Sequence, residues 1–265
     1  MKEKKFAVCY NKNIENSSKA KDALVSFLQK NSVFPEITDI DNLKSGVDFV
    51  FVIGGDGTIL KAARFYSKTS TPVFGINLGR LGFLSQSSKE NLEYAAGEIL
   101  KGNYTVEDRI MLQSENFTAL NDFVVKGGTR GRTSSFELKI NGKFVCNYLA
   151  DGIIISTPTG STAYGLSAGG PVLYPSLDAF VIVPICPHTL TARPIVIPDT
   201  ETITICTPKN SEKYVVSTDG QAFYEFENEI EIKKSNSSAK LALLKDCGFY
   251  SVLKDKLHWG ISPLN

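Results

Sequence analysis

A glycine-rich turn after an apolar run is the first place where this sequence could do chemistry. Residues 47–53 are almost wholly apolar and are followed directly by Gly54, Gly55, Asp56, Gly57 and Thr58. Glycines permit positive φ angles and close backbone approach to an anion, and a helix starting there adds N–H groups and the positive end of its dipole. Because a carboxylate repels phosphate, we expect Asp56 to have a role other than phosphate binding. It would orient or deprotonate an attacking hydroxyl, or hold a metal. The alternative is a tight turn whose aspartate caps the next helix.

A second stretch rich in small and hydroxyl-bearing residues runs from Leu149 to Gly170. Its hydroxyls and the ring of Tyr164 suit a nucleoside, because small residues allow close approach while hydroxyls bond to polar edges. The alternative is a helix cap followed by small-residue packing. Residues 165–169 also fit the G-x-S-x-G pattern of serine hydrolases, but the residues before them are typical of a loop and not of the strand that this motif needs.

Asn121 and Asp122 stand directly before an apolar run and form a third, weaker signal. Asparagine supplies a donor and an acceptor, and an aspartate accepts hydrogen bonds from the two hydroxyls of a ribose. Ordinary turn chemistry is the alternative for this pair. The phosphate-binding pattern G-x-x-x-x-G-K-[ST] and the dinucleotide pattern G-x-G-x-x-G are both absent from the sequence.

Composition excludes several classes of protein. The 265 residues carry 29 Lys and Arg against 28 Asp and Glu, which argues against a nucleic-acid binder. No apolar stretch approaches the roughly 18 residues of a membrane helix, so we expect no membrane contact. Five widely spaced cysteines predict reduced thiols in a cytoplasmic protein. With only two histidines, a Cys/His zinc site lacks ligands, and any metal should be a hard cation held by oxygens or substrate phosphates.

The elements that must position these residues change character along the chain. Residues 1–102 alternate between strand-like and helix-like segments, which predicts a Rossmann-like α/β domain carrying the glycine turn. Residues 103–248 contain short alternating strands, with Asn141-Gly142 as a hairpin turn, and predict a sandwich-like β-rich domain. We expect the C-terminal segment, about 249–265, to be partly helical and to pack back on the first domain. Strands are predicted at 5–10, 47–53, 72–77, 153–156, 180–185, 194–197, 202–206, 214–217 and 229–232, and helices at 17–29, 59–66, 89–101 and 249–257.

Together these segments resemble the NAD kinase (ATP-NAD kinase) family over most of the chain. Residues 54–58 resemble its G-G-D-G-T motif, and Asn121-Asp122 its short N-[ED] motif. Residues 151–171 resemble its long D-G-x-x-x-S-T-P-T-G-S-T-A-Y-x-x-S-A-G-G-P block, and 186–190 and 193–198 are also similar to family segments. The long block is specific, whereas diacylglycerol and sphingosine kinases share G-G-D-G-T. A lipid kinase of that superfamily, and a non-catalytic NAD(P) sensor, are the alternatives.

The resemblance implies transfer of the γ-phosphoryl group of ATP to the 2′-hydroxyl of the adenosine ribose of NAD, giving NADP. Asp56 would accept the proton, and Gly54, Gly55, Gly57 and Thr58 would form the phosphate loop. Mg²⁺ would accompany ATP, its protein ligands being unknown, and inorganic polyphosphate stays open as a donor. A homodimer or homotetramer is implied.

The same resemblance assigns the residues that bind NAD. Asn121 and Asp122 would hold the nicotinamide-side ribose, and Asp151 the nicotinamide end. Many relatives have Glu where this chain has Asp122, and the shorter side chain changes its hydrogen-bonding reach. Thr162, Ala163, Tyr164, Gly165, Leu166 and Ser167 would line the adenosine end. The remaining implied contacts are Gly57, Lys61, Phe83, Arg132, Leu149 and Gln221.

Overall fold

The computed structural model describes residues 4–79, 82–128, 133–208, 213–245 and 248–258. The chain divides into two compact units, one made of residues up to Asp108 and from Ala239 onward, the other of Arg109–Ser238. Across the described ranges, no helix is both long and apolar enough to cross a membrane.

The first unit is built on a seven-stranded sheet in the order β2-β1-β3-β4-β19-β6, with β5 pairing beside β4. Its strands are β1 (Phe6–Tyr10), β2 (Glu36–Asp39), β3 (Phe49–Ile53), β4 (Val73–Asn77), β5 (Ser85–Ser88), β6 (Tyr104–Arg109) and β19 (Ala239–Leu244). The pairs β1–β2, β1–β3, β3–β4, β4–β5 and β4–β19 are all parallel. Every residue of β3 is buried, as expected for a parallel strand with both faces covered.

The described residues of this unit form four α-helices: α1 (Ser17–Lys30), α2 (Asp56–Ser67), α3 (Leu92–Lys101) and α5 (Phe249–Leu257). In α1, Leu24 and Leu28 lie four residues apart on one face and are fully buried in a core that includes Phe49 and Phe74. Helix α3 ends at Gly102, whose φ of 80° closes the helix with a left-handed residue. Helix α2 begins three residues before the predicted start, with Asp56 in its first turn.

The second unit consists of two six-stranded antiparallel sheets, ordered β11-β10-β15-β18-β7-β8 and β14-β13-β12-β9-β16-β17. Their strands are β7 (Leu112–Ser114), β8 (Phe117–Ala119), β9 (Asp122–Lys126), β10 (Ser134–Ile140), β11 (Lys143–Ala150), β12 (Gly152–Ser156), β13 (Ala179–Ile185), β14 (Ile195–Pro198), β15 (Ile203–Cys206), β16 (Tyr214–Thr218), β17 (Ala222–Phe226) and β18 (Glu229–Lys234). One buried cluster draws side chains from both sheets, among them Phe123 and Ile155 from one and Phe136 and Leu138 from the other. One further short helix, α4 (Tyr164–Ser167), follows β12.

The predicted fold class, an α/β domain followed by a β-rich domain, is confirmed. The predicted hairpin is also present: β10 and β11 pair antiparallel, and Asn141 and Gly142 have φ angles of 50° and 74°. Both positive values are those of the turn whose twist matches the flanking strands.

The predicted domain limits need correction at both ends. The boundary was placed after residue 102, but β6 lies in the sheet of the first unit, and the division falls after Asp108. The second domain was extended to residue 248, but β19 pairs with β4 in the parallel sheet, so the chain returns to the first unit at Ala239. Local periodicity identifies a strand, whereas the sheet that it joins depends on distant partners. The described part of the C-terminal segment, including α5, lies in the first unit.

Candidate functional site

The glycine turn joins the buried strand β3 directly to helix α2. The amide N–H of Gly54 donates to the carbonyl of Ile76 (3.0 Å), which ties the turn to the neighbouring strand β4. A Cβ at Gly54 would lie 2.5 Å from the hydroxyl oxygen of Thr58, so glycine is required by close packing. The expected positive φ angles are wrong for this turn: Gly55 has φ of −77° in extended backbone, and Gly54 and Gly57 are absent from the positive-φ residues. The physical reason is that the strand passes straight into the helix without a left-handed residue.

The carboxylate of Asp56 is held by backbone N–H groups of a neighbouring segment. Phe83 N–H donates to Oδ2 (2.9 Å) and Leu84 N–H to Oδ1 (3.4 Å). Gly82 passes so close that a Cβ there would overlap the carboxylate. Asp56 is also in the first turn of α2, where the helix dipole favours a negative charge. The side chain is therefore fixed in direction, and its half-buried position keeps it in reach of solvent.

Other residues predicted around this turn have their own partners. Thr58 is buried, and its hydroxyl oxygen accepts a hydrogen bond from Asn11 (3.5 Å), so its side chain packs inward. Lys61 lies one turn into α2 and forms an ion pair with Asp41 (2.8 Å). A contact between Lys61 and a ligand therefore requires this exposed pair to open. Gly57 is exposed on the first turn of the helix.

The second unit contains a cavity of about 520 Å³ beside the start of β9. Polar, charged and aromatic groups share its wall with several small residues. The lining residues are Asn121, Asp122, Val124, Lys126, Gly127, Gly128, Ala163, Tyr164, Val215, Ser217, Asp219, Gly220 and Phe223. The ammonium of Lys126 lies 5.6 Å from the centroid of the Tyr164 ring. Phe223 leaves 66% of its surface exposed, so an aromatic face is open for stacking.

Backbone contacts to the second Gly/Ser/Thr-rich stretch fix the segment that carries Asn121. The carbonyl of Asn121 accepts from the Thr157 N–H (2.9 Å), and the Thr157 hydroxyl donates to the carbonyl of Leu120 (2.5 Å). That hydroxyl also accepts from Gly160 N–H (3.0 Å). A Cβ at Gly160 would overlap the Asn121 backbone, so this glycine is required by close approach. These two motifs therefore lie against each other through backbone contacts.

Asp122 contributes a buried carboxyl group to the cavity wall. It is 4% exposed, and among the described residues none donates a hydrogen bond to its carboxylate. Burial first, and then the negative charge of Asp219, raise the pKa of Asp122 to about 7. A buried acceptor without a protein donor is a group that a ligand's hydroxyls can satisfy.

The remaining predicted NAD contacts are only partly brought together. Of the group 162–167, Ala163 and Tyr164 line the cavity, while Thr162, Gly165, Leu166 and Ser167 lie in the adjoining turn and in α4 without lining it. Leu149 and Asp151 are exposed near the junction of β11 and β12, and Gln221 is exposed in the turn after β16. The described wall of the cavity does not include Leu149, Asp151 or Gln221. Arg132 falls outside the described residues.

The serine of the hydrolase-like pattern is not on a strand-to-helix elbow. Ser167 is exposed at the last residue of α4, and a 3₁₀ turn at 160–162 precedes that helix. His188 bonds to the hydroxyl of Thr133 (2.9 Å) and belongs to a loop after β13.

Sequence reasoning missed Lys126, Ser217, Asp219 and Phe223 as cavity residues. A usable signal exists for Asp219, because Asp219-Gly220 stands between two β-favouring runs just as Asn141-Gly142 does, and both its residues have positive φ (51° and 64°). An Asp-Gly pair in that position predicts a hairpin. Nothing local marks Lys126 or Phe223, because only strand pairing brings them to one wall.

Models of a single protein family match both parts of the chain. The ATP-NAD kinase N-terminal domain matches residues 1–104, and the ATP-NAD kinase C-terminal domain matches residues 120–245. These matches define the chain as a kinase. It belongs to the ATP-NAD kinase family.

Relatives and solved structures agree with this assignment. An NAD kinase of Thermoanaerobacter sp. (strain X514) is 38% identical over 96% of this chain and 99% of its own length. An NAD kinase of Pseudomonas fluorescens (strain Pf0-1) is 46% identical over 80% of this chain and 76% of its own. The crystal structure of an NAD kinase from Archaeoglobus fulgidus in complex with ATP has a TM-score of 0.79 at 29% identity, covering 96% of this chain and 98% of that one. Yeast NADH kinase, solved with NADH, shares the fold (TM-score 0.85, 23% identity, 98% and 89% coverage).

Proposed function

We propose that this chain phosphorylates NAD to NADP by transferring the γ-phosphoryl group of ATP to the 2′-hydroxyl of the adenosine ribose. The reaction is that of the family to which the chain belongs. The observation that carries the mechanism is the carboxylate of Asp56, which is fixed by the N–H groups of Phe83 and Leu84 at the start of α2.

Asp56 would accept the proton of the attacking hydroxyl. Each of its oxygens accepts one backbone N–H in the structure, and a carboxylate oxygen has a further lone pair to offer. Phosphoryl transfer passes through a loose transition state, so positioning and neutralisation of charge matter more than a strong base. A ribose hydroxyl is barely acidic, and the proton therefore moves late, as the new P–O bond forms. A side chain held by rigid backbone donors meets the positioning requirement.

Asn121 and Asp122 would bind the ribose on the nicotinamide side of NAD. Asp122 lines the cavity as a buried acceptor, and two ribose hydroxyls can donate to its oxygens. Its shorter side chain, compared with the glutamate of many relatives, is compatible with this role because the cavity wall itself includes Asp122. Ala163, Tyr164 and Phe223 would provide small and aromatic surface for the nucleoside.

Magnesium would enter with ATP as part of the substrate. Mg²⁺ keeps several waters and is held in kinases largely by substrate phosphates, with one or two carboxylates of the protein. Within the described residues, no group of three or more His, Cys, Asp or Glu side chains is arranged to hold a metal ion. The metal would neutralise the charge that develops on the transferred phosphoryl group.

Three further properties are proposed on the resemblance. The enzyme would be cytoplasmic, in keeping with cysteines that are free at positions 9, 146, 186 and 206. It would form a homodimer or homotetramer, which light scattering of the purified protein tests. ATP would be the donor, and inorganic polyphosphate in place of ATP is a direct comparison in the same assay.

Incubation with ATP, Mg²⁺ and NAD, followed by an NADP-specific dehydrogenase, tests the proposal. We expect NADP to accumulate, with ADP released in equal amount. Replacing NAD by diacylglycerol distinguishes an NAD kinase from a lipid kinase, because only a lipid kinase would phosphorylate the lipid. Calorimetric NAD binding without ATP-dependent turnover would identify a non-catalytic sensor. Neither alternative is favoured, because the NAD kinase family models match both parts of the chain. Phosphorylation of the lipid alone, or binding of NAD alone, contradicts the proposal.

A further inference from the structure

We propose that Asp219 is a positioning residue for the Asn121–Asp122 pair, fixing the backbone that presents both side chains to the cavity and biasing how Asp122 meets its ligand. This inference rests on the proposed function, since NAD is taken as the ligand whose ribose hydroxyls Asp122 accepts.

The carboxylate of Asp219 accepts hydrogen bonds from three consecutive backbone N–H groups. Leu120 N–H donates to Oδ2 (3.0 Å), while Asn121 N–H (2.7 Å) and Asp122 N–H (3.1 Å) both donate to Oδ1. Hydrogen bonds to an ionised acceptor are stronger than neutral ones. A single side chain therefore sets the position of the whole peptide that carries the predicted ribose ligands.

The backbone of Asp219 also bonds to the same peptide, so side chain and backbone together hold it in place. The N–H of Asp219 donates to the carbonyl of Asp122 (2.9 Å), and strands β9 and β16 pair from Phe123–Thr218 onward. Asp219 has φ of 51°, a left-handed conformation that aspartate and asparagine adopt more readily than most residues. Glycine follows it with φ of 64° and completes the turn into β17. The residue type at position 219 thus satisfies both the turn and the three N–H donors.

Asp219 also acts on Asp122 through its charge. After burial, it is the second cause that raises the pKa of Asp122. The titratable and charged groups that line the cavity with Asp122 are Lys126 on β9, Tyr164 on α4 and Asp219 itself, among the described residues. The carboxyl of Asp122 is consequently balanced between a neutral form and an ionised form near neutrality. The ionised form offers both oxygens purely as acceptors, whereas protonation turns one of them into a hydroxyl donor.

This arrangement predicts an effect on NAD binding and none on ATP. The ribose held by Asn121 and Asp122 is remote from the hydroxyl that reacts, so a misplaced pair weakens substrate and transition state alike. We therefore expect Asp219 variants to raise KM for NAD, leaving KM for ATP and kcat close to wild type. We also expect NAD to bind more tightly to the wild type as pH rises through about 7, because Asp122 then ionises.

The test compares wild type, Asp219→Asn and the matched control Glu227→Gln. Asparagine keeps the shape and tolerates the left-handed backbone, but it removes the charge and replaces one acceptor oxygen by a donor. Glu227 is exposed beyond the other end of the β16–β17 hairpin, where it lies near Lys213. NAD affinity is measured by calorimetry without ATP across about pH 5.5 to 8.5, and kinetic constants and Tm are measured for each protein.

For Asp219→Asn we expect NAD affinity to fall about tenfold or more at neutral pH, since hydrogen bonds to a charged group are lost. The pH midpoint of NAD binding should move to lower pH, while Glu227→Gln behaves as wild type. Unchanged affinity and midpoint would overturn the inference. A lower kcat, a higher KM for both NAD and ATP and a lower Tm, all with an unchanged pH midpoint, would also overturn it. That pattern describes a residue that only supports the fold. A wild type that forms no NADP contradicts the proposed function instead.

Hydrogen exchange of the wild type tests the same contacts without any substitution. The amides of Leu120, Asn121 and Asp122 should exchange slowly at pH 7. Exchange at the rate of unprotected amides would overturn the inference even if Asp219→Asn fails to fold.

Discussion

We predict that the ligand-free Asp122→Asn variant becomes increasingly stable relative to wild type as pH rises. The same substitution should weaken NAD binding. Asp122 is 4% exposed and its pKa is raised from 3.8 to about 7. The folded protein therefore binds this proton more tightly than the unfolded chain does, and its stability falls as pH rises between those two pKa values. Below the lower value the group is neutral in both states and costs nothing.

The magnitude follows from the shift. About 3 pKa units correspond to roughly 4 kcal/mol lost above pH 7, and about 1.6 kcal/mol is already lost at pH 5. Asparagine never ionises, so the free energy of unfolding of Asp122→Asn minus that of wild type should be about 2 to 3 kcal/mol larger at pH 8 than at pH 5. Any cost of burying the amide is the same at both pH values and cancels in that difference.

Urea unfolding followed by circular dichroism at pH 5 and pH 8 measures this double difference. Asp178→Asn, at an exposed aspartate of the same unit, controls for the loss of one negative charge. NAD affinity of Asp122→Asn should fall at pH 8, because the amide offers only one acceptor oxygen to the ribose. A difference between the two pH values no larger than that of the control would refute the account of Asp122.

Two further substitutions test close contacts around the candidate site. Gly82→Ala should lower kcat about tenfold or more with little change in Tm, because the new Cβ displaces the Asp56 carboxylate. Its control is Gly97→Ala, whose Cβ meets only Phe27 at 3.7 Å. Equal kcat values in the two variants would contradict this prediction. Thr157→Val should destabilise the protein by about 1–3 kcal/mol in urea unfolding and raise KM for NAD, because it leaves the buried Leu120 carbonyl and Gly160 N–H without their partner; an unchanged midpoint of unfolding would count against it.

The fold was largely predictable because its strongest signals are local. The uninterrupted apolar run ending at Ile53 indicates a strand covered on both faces, and the Asn141-Gly142 pair predicts its hairpin. The return of β19 to the first sheet was not predictable in the same way. Residues 239–244 form an ordinary apolar strand, and only the parallel pairing of Leu241 with Val73 shows which sheet they join.

The candidate site was predictable in its motifs and not in its supports. Asp56 and Asn121-Asp122 stand out by residue type and position beside apolar runs. The groups that hold them do not: Phe83 and Leu84 act through backbone N–H, which every residue except proline carries. Asp219 lies about a hundred residues from the peptide that it fixes, so its role depends on the pairing of β9 with β16.

The central claim is that a fixed carboxylate at the start of α2 accepts the proton during phosphoryl transfer to NAD. The most direct test measures the NADP formed by Asp56→Asn under saturating ATP, Mg²⁺ and NAD. Asp22→Asn, on the exposed face of α1, is the control. We predict a loss of about 10²- to 10⁴-fold in kcat, the contribution typical of a general base, with NAD affinity within about threefold of wild type. Turnover of Asp56→Asn at the wild-type rate would contradict the claim.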